Sequence, residues 1–432
     1  MLYYALGVVL FALAILISLG LHEAGHMGTA KMFGMRVTRY FIGFGPTIWS
    51  FKKGETEYGF KWLPFGGFVK ISGMTEQEEQ EEPVPPGQEH RIFWRKPLWQ
   101  RTVVLAAGSV THFILGFVIL WILVSFVSAP NPEYIDEMNG STQVTVSECL
   151  KAEPPQNEQE AKCTDADEPS PAAEAGLQDG DKIIAVAGTP VSDEKCDTPG
   201  APAGTEPSMW ACVVNQVRDL PGDEASVVTV ERDGAEKDLE VTPRSVSVET
   251  PEGTQKVNQV GIGLMEPSVP RTVTHGAVDG VGVAVTTTGD MAVAMGEAIT
   301  RIPEKVPALW NSIFGAERDP ETPVSVVGAS RLGGEMVAND AWVMFFSLLV
   351  TLNYFIGLFN LAPLLPMDGG HIAIAWFEKV RSWWARRRNR PDPGRVDYMK
   401  LMPLTYVVLI VLVGFTLLTV TADIINPITL FN

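Results

Sequence analysis

The chain reads as a multi-pass α-helical membrane protein of four transmembrane helices, with a membrane-associated β-hairpin and an extracytoplasmic α/β domain. Three observations predict it. Residues 2–21, 102–128, 341–366 and 401–422 carry no charged side chain, and each run is long enough to cross a hydrocarbon layer of about 30 Å as a helix. Lys and Arg crowd the loops after the first and third runs, from Lys31 to Arg101 and through EKVRSWWARRRNRPDPGR, which makes those loops cytoplasmic. The stretch between the second and third runs holds all four cysteines and most of the acidic residues behind the net charge of −18, as an oxidising, extracytoplasmic space would favour. This charge distribution gives no sign of nucleic-acid binding.

Taken in order, residues 1–30 form transmembrane helix 1 and end in the pattern HEAGH. The run lacks a basic n-region, and no small-residue cleavage site precedes HEAGH, so it reads as a retained anchor rather than a signal peptide. Residues 31–101 form a cytoplasmic-side loop. Within it, TEYGFKWLPFGGFVKI alternates and is broken by Gly and Pro, which reads as a β-hairpin at about 55–74 dipping toward the membrane. Backbone at that depth must be satisfied by protein or water. TEQEEQEEPVPPGQEH is then an acidic, solvated tether.

Residues 102–128 are transmembrane helix 2, and 129–267 form the outer domain. There, VVNQVRDLPGDEASVVTVERDGAEKDLEVTPR reads as a helix, a turn and two alternating strands joined by RDG. Four cysteines allow three pairings; the local ones, Cys149–Cys163 and Cys196–Cys212, are favoured, and no C-x-x-C spacing supports a structural zinc site. The piece SDEKCDTPGAPAGTEPSMWACV is expected to be a disulfide-pinned loop. Residues 268–340, rich in Ala, Val, Gly and Met, are an amphipathic or linker region, either lying on the membrane face or packed as a helix. Residues 341–374 are transmembrane helix 3 with a DGG motif, 375–400 a basic cytoplasmic loop, and 401–432 transmembrane helix 4 and the C-terminus.

The chemistry concentrates at two span ends. His22 and His26 are four residues apart on one helical face, with Glu23 one position round, close enough to reach a metal's water. Ionisable groups in a span are costly, so function is their default reading. A catalytic zinc site needs a third protein ligand and an open position. His275 lies outside and His90 in the tether, so neither suits. Asp368, in FNLAPLLPMDGGHIAI, stands at the cytoplasmic end of the third run, at the depth of HEAGH. Pro363 and Pro366 break the helix before it, and Gly369-Gly370 lets backbone pass close to a neighbour. Capping of a following helix is the other role open to Asp368.

HEAGH at the end of the first span, GFG after it, and N-x-x-P-x-x-P-x-D-G-G from Asn360 to Gly370 together resemble the site-2 protease family. Pro171-Ala172-x-x-Ala175-Gly176-Leu177-x-x-Gly180-Asp181-x-Ile183 resembles a PDZ domain of the bacterial-protease type. With PFGGFVKISGM, it narrows the likeness to the RseP-like bacterial group and covers nearly the whole chain. The resemblance implies an intramembrane Zn²⁺ metalloendopeptidase of the bacterial cell membrane. Such enzymes cut single-span proteins, notably anti-sigma factors, after another protease has trimmed their outer part. It implies that His22, His26 and Asp368 bind zinc, that Glu23 is the general base, and that Asn360 holds unwound substrate backbone.

Two features depart from the pattern. Relatives often carry G-P-x-x-N-F in the second span, where this chain has Gly108-Ser109-Val110-Thr111-His112-Phe113. His112 is then a packing histidine in preference to a polar substitute or spare metal contact. There is also room for only one PDZ-like domain, which either binds a fresh C-terminus or, as favoured here, excludes substrates with bulky outer parts. The rival from another class is a PDZ-bearing membrane receptor or scaffold with a structural or vestigial metal, which has no use for Glu23. A zinc transporter would need several intramembrane ligands along a path, and the spans have almost none.

Overall fold

The computed structural model describes residues 2–74, 84–150, 163–164, 167–191, 196, 207–250, 253–316 and 318–431. Most of the acidic tether and most of the disulfide-pinned loop lie outside these residues. The chain divides into two compact units, Met1–Ser128 with Thr274–Asn432, and Ala129–Val273.

The first unit opens with α1 (Leu2–Met32), an apolar helix that runs on through HEAGH because nothing in it breaks the hydrogen-bond ladder. β1 (Val37–Lys53) and β2 (Thr56–Ile71) follow as one hairpin. It begins earlier than the alternation alone suggests, because its glycines bend the strands instead of ending them. Gly43, Gly45 and Gly66 all sit at positive φ, where a side chain would be strained. The bends fold the hairpin back on itself. Thr47–Lys53 pairs with Thr56–Lys61, while Val37–Ile42 is flanked on one side by Glu57–Phe60 and on the other by Gly67–Ile71. The segment Gly67–Ile71 therefore lies at one side of this small sheet. After it, α2 (Leu98–Ile122) begins just behind Pro97, a residue suited to a helix start and not to its interior.

The second unit is α/β. β3 (Lys182–Val186), β4 (Thr189–Pro190), β5 (Ser226–Arg232) and β6 (Ala235–Val241) form a sheet of order β4-β3-β5-β6, and α3 (Met209–Arg218) is the longest of the unit's described helices. β5 and β6 turn through Asp233 (φ 55°) and Gly234 (φ 75°), the two left-handed residues that a tight hairpin requires. Val186, Val213, Val217, Val228 and Val230 close the core. Cys149 is bonded to Cys163, and Cys196 to Cys212, the two local pairings expected. Arg232 makes a bidentate pair with buried Asp181, at 2.6 Å to each oxygen, and also donates to Gly176 O at 2.8 Å. This stitches the AGLQDGD loop to β5.

The chain returns to the first unit as α4 (Gly276–Ile313), α5 (Val326–Ala338), α6 (Trp342–Asn360), α7 (Asp368–Arg387) and α8 (Tyr398–Ile425). The 268–340 stretch is thus mostly helical, and its second helix is packed rather than free. A Cβ on Gly7 of α1 would stand 2.8 Å from Gly333 O of α5, so these two backbones touch through small residues, as membrane helices do. Phe11, Ile15, Leu332, Met336, Phe345 and Leu349 seal that contact. Arg318, ahead of α5, donates to Asp423 near the end of α8 at 2.8 Å, and the other oxygen of Asp423 accepts from Ser325 N at 2.6 Å.

Among the described residues, four helices are long and apolar enough to cross a membrane: Leu2–Met32, Leu98–Val127, Trp342–Asn360 and Tyr398–Ile425. The last exposes Leu404, Val407, Ile410, Val411 and Leu417, a surface that suits lipid and not water. The third span ends at Asn360 rather than running to 374, because two prolines interrupt it; α7 restarts at Asp368.

Candidate metal centre

α1 presents His22 and His26 toward α2 and Glu23 toward β2, and glycines set how near the two helices come. A Cβ on Gly25 would fall 2.4 Å from Thr111 Oγ1 and 2.7 Å from Ala107 O. With no side chain at residue 25, α2 closes against α1 at HEAGH. On the opposite wall, a Cβ on Gly108 would lie 2.4 Å from His26 Nε2 and 2.6 Å from His22 Nε2. The absent side chain leaves a hollow in front of both imidazoles.

Asp368 arrives from a different element. After α6 the chain turns through Leu361–Met367, where Pro363 and Pro366 prevent a continuous helix. The first turn of α7 then packs directly on that segment. A Cβ on Gly369 would meet Leu361 O at 2.1 Å, and one on Gly370 would meet Leu365 N at 2.7 Å. The paired glycines let the backbone come this close and so deliver the Asp368 carboxylate to the histidines.

The result is a triangle. His22 Nε2 lies 3.2 Å from His26 Nε2, Asp368 Oδ2 lies 3.4 Å from His22 Nε2, and Asp368 Oδ2 lies 3.3 Å from His26 Nε2. Among the described residues these three alone form a group able to hold a metal. Asp368 Oδ2 has no hydrogen-bond partner there, although a buried carboxylate oxygen normally has one. His26 is oriented from behind by Val104 O, 2.7 Å from its Nδ1. The ligand chemistry fits: two imidazoles and a carboxylate, with one side left open, are the donors of a catalytic zinc centre.

Glu23 stands at the mouth of the triangle, half-buried, and accepts a hydrogen bond from the backbone N–H of Val69. A Cβ on Gly67 would be 3.1 Å from Glu23 Cγ. The outer segment of β2 therefore runs beside the carboxylate. Of the residues the sequence nominates, the fold brings His22, Glu23, His26 and Asp368 together. Asn360 is the half-buried last residue of α6 and is not one of the converging donors. His112 is fully buried with its ring centroid 5.1 Å from that of His22, outside the donor triangle. Three participants escape a sequence reading: Gly108, Ser18 and Asn353. The last two are buried polar side chains within apolar runs, a signal that the expense of burying polarity in a membrane makes usable.

A hydrolase-type donor set held between apolar helices defines a metallopeptidase set within a membrane. The chain belongs to peptidase family M50, whose sequence profile matches residues 10–399. It is similar to the zinc metalloprotease Rip1 of Mycolicibacterium smegmatis, 40% identical over 438 residues that cover 99% of this chain and all of the relative. It is equally similar, at 40% over 443 residues and the same coverage, to the zinc metalloproteases Rip1 of Mycobacterium tuberculosis and Mycobacterium bovis.

Proposed function

We propose that the protein is a zinc-dependent intramembrane endopeptidase that cuts the membrane segments of single-span proteins of the anti-sigma-factor type, after another protease has trimmed their outer parts. One observation carries the metal assignment. A tetrahedral centre with bonds of 2.0–2.2 Å has ligand-to-ligand edges of about 3.3–3.5 Å, and the donor triangle measures 3.2–3.4 Å. His22, His26 and Asp368 are the ligands in this reading, and the fourth corner stays open for water and substrate.

Bound zinc supplies Lewis acidity, the property that lets water act as a nucleophile near neutral pH. The rest falls to the protein. Glu23 takes a proton from the attacking water and returns it to the departing amide nitrogen. A helical peptide bond is shielded by its own hydrogen bonds, so the substrate must unwind first. The outer segment Gly67–Ile71 of β2 offers a strand edge for the unwound backbone, next to Glu23, and Asn360 holds one of the freed backbone groups. Water enters from the cytoplasmic side, where the basic loops put the two motifs. The second unit acts as the PDZ-like outer domain, and its role is to exclude substrates with bulky outer parts. A receptor or scaffold with a structural metal has no use for a carboxylate at an open coordination side.

The test compares the parent with Glu23→Gln, both purified in detergent with a tagged single-span substrate and with zinc content measured. The expected outcome is lost cleavage with zinc retained. A parent that binds zinc yet leaves trimmed substrates intact would move the assignment to the receptor class.

A further inference from the structure

Three polar side chains are buried where α1, α2 and α6 meet. Ser18 is 3% exposed, His112 0% and Asn353 2%. Their hydrogen bonds fix which atom carries which proton. Asn353 Nδ2 donates to Leu349 O at 2.8 Å, so its Oδ1 is the end that faces His112 and Ser18. His112 Nδ1 lies 2.9 Å from that oxygen. An amide oxygen only accepts, so His112 Nδ1 is the protonated nitrogen. Ser18 Oγ donates to the same oxygen.

A neutral imidazole protonated at Nδ1 has a bare acceptor at Nε2. His112 Nε2 is buried and without a partner among the described residues. His22 has the opposite need. Its Nε2 belongs to the donor triangle, so its proton sits on Nδ1, and that atom is also buried and partnerless. An orphaned donor and an orphaned acceptor thus occupy adjoining rings, 5.1 Å between centroids. Buried polar atoms are ordinarily paired. Metal-ligating histidines in particular donate their second N–H to an oriented acceptor. His26 has one in Val104 O; His22 has none among the described residues.

We propose that His112 is the outer acceptor for His22, reached through one bridging water or a small turn of the two rings, and that Asn353 and Ser18 hold His112 in the accepting tautomer. The inference rests on reading His22 as a zinc ligand. His112 is then a positioning residue: it fixes the plane of the His22 ring and makes its Nε2 a better donor to the metal. This also accounts for one fully buried polar side chain in each of three separate spans.

The test measures zinc affinity, by chelator competition, on the full-length protein in detergent, with the visible spectrum of the Co²⁺-loaded form as a second readout. His112→Leu, which removes the acceptor, is expected to weaken zinc binding by about 10–100-fold and to change the Co²⁺ bands. His112→Gln keeps an acceptor oxygen and is expected to recover most of that loss. Asn353→Leu leaves the His112 ring but removes the oxygen that sets its tautomer, so a loss is expected there too. Parent-like affinity in His112→Leu overturns the proposal. So do equal losses in the Leu and Gln variants that track lowered thermal stability, because packing would then explain them. Should His112→Leu not fold, Asn353→Leu decides, and parent-like affinity in it overturns the proposal. A parent that binds no zinc would instead overturn the metal-site reading itself.

Discussion

Gly108 carries no functional group, yet the space it leaves is as specific as any ligand. A methyl there would lie within 2.6 Å of the Nε2 atoms of both His22 and His26, a distance no carbon tolerates, and would fill the hollow in front of both imidazoles. Gly108→Ala is therefore expected to abolish zinc binding and cleavage together, read by metal content and a substrate assay. Gly28, on the same helix as the histidines, has no atom within 4 Å of its would-be Cβ; Gly28→Ala is expected to keep parent zinc content and activity. At this scale the sequence was informative where chemistry is local. His22, Glu23 and His26 sit within one turn of one helix, so their spacing alone brings them together. The partnership of Ser18, His112 and Asn353 could not be read that way, because three separate helices contribute one residue each.

At the scale of elements, the hairpin β1–β2 is where expectation and structure differ most. Alternation placed the whole hairpin at about 55–74, whereas Thr56–Ile71 is one strand and its partner is β1, which begins at Val37, in a stretch whose pattern is interrupted by Gly43, Gly45 and Pro46. Those residues usually signal a strand's end; here they bend it and bring Gly67–Ile71 beside Glu23. If that segment receives unwound substrate, proline substitutions across residues 66–70 are expected to slow cleavage of a helical membrane substrate more than that of an already extended peptide, with zinc content unchanged. Equal rates on both substrates would remove the strand-pairing role. The break between α6 and α7 was visible as two prolines and two glycines, although the depth to which the turn packs on itself was not.

Across the whole molecule, each unit is fastened by its own ion pair. In the membrane unit, the side chains of Arg318 and Asp423 are 4% and 2% exposed. Removing one partner of such a pair typically costs about 3–5 kcal/mol because the other charge is left buried. Asp423→Ala is expected to lower thermal stability in detergent markedly, and Arg318→Met with Asp423→Leu to recover much of it. In the second unit, hydrogen bonding from Arg232 holds the Asp181 carboxyl below its usual value. A carboxylate whose folded value is depressed contributes stability that is complete above its ordinary value of about 4 and is lost as pH falls through the lowered one. Arg232→Gln is expected to flatten that acid limb of the second unit's unfolding, followed by near-ultraviolet circular dichroism from pH 6 to about pH 2.

By itself the sequence determined what depends on neighbours along the chain. Apolar runs marked the four described helices that are long and apolar enough to cross a membrane, HEAGH fixed two imidazoles and a carboxylate on one helix, and four cysteines in one stretch between two apolar runs anticipated both disulfides. Tertiary structure decided what depends on distance between elements: the triangle closed by Asp368, the hollow opposite Gly108, the β2 segment against Glu23, and the unmatched nitrogens of His22 and His112. The division is physical. Helical spacing is set by local backbone geometry, whereas how closely two helices approach is set by the side chains each one lacks.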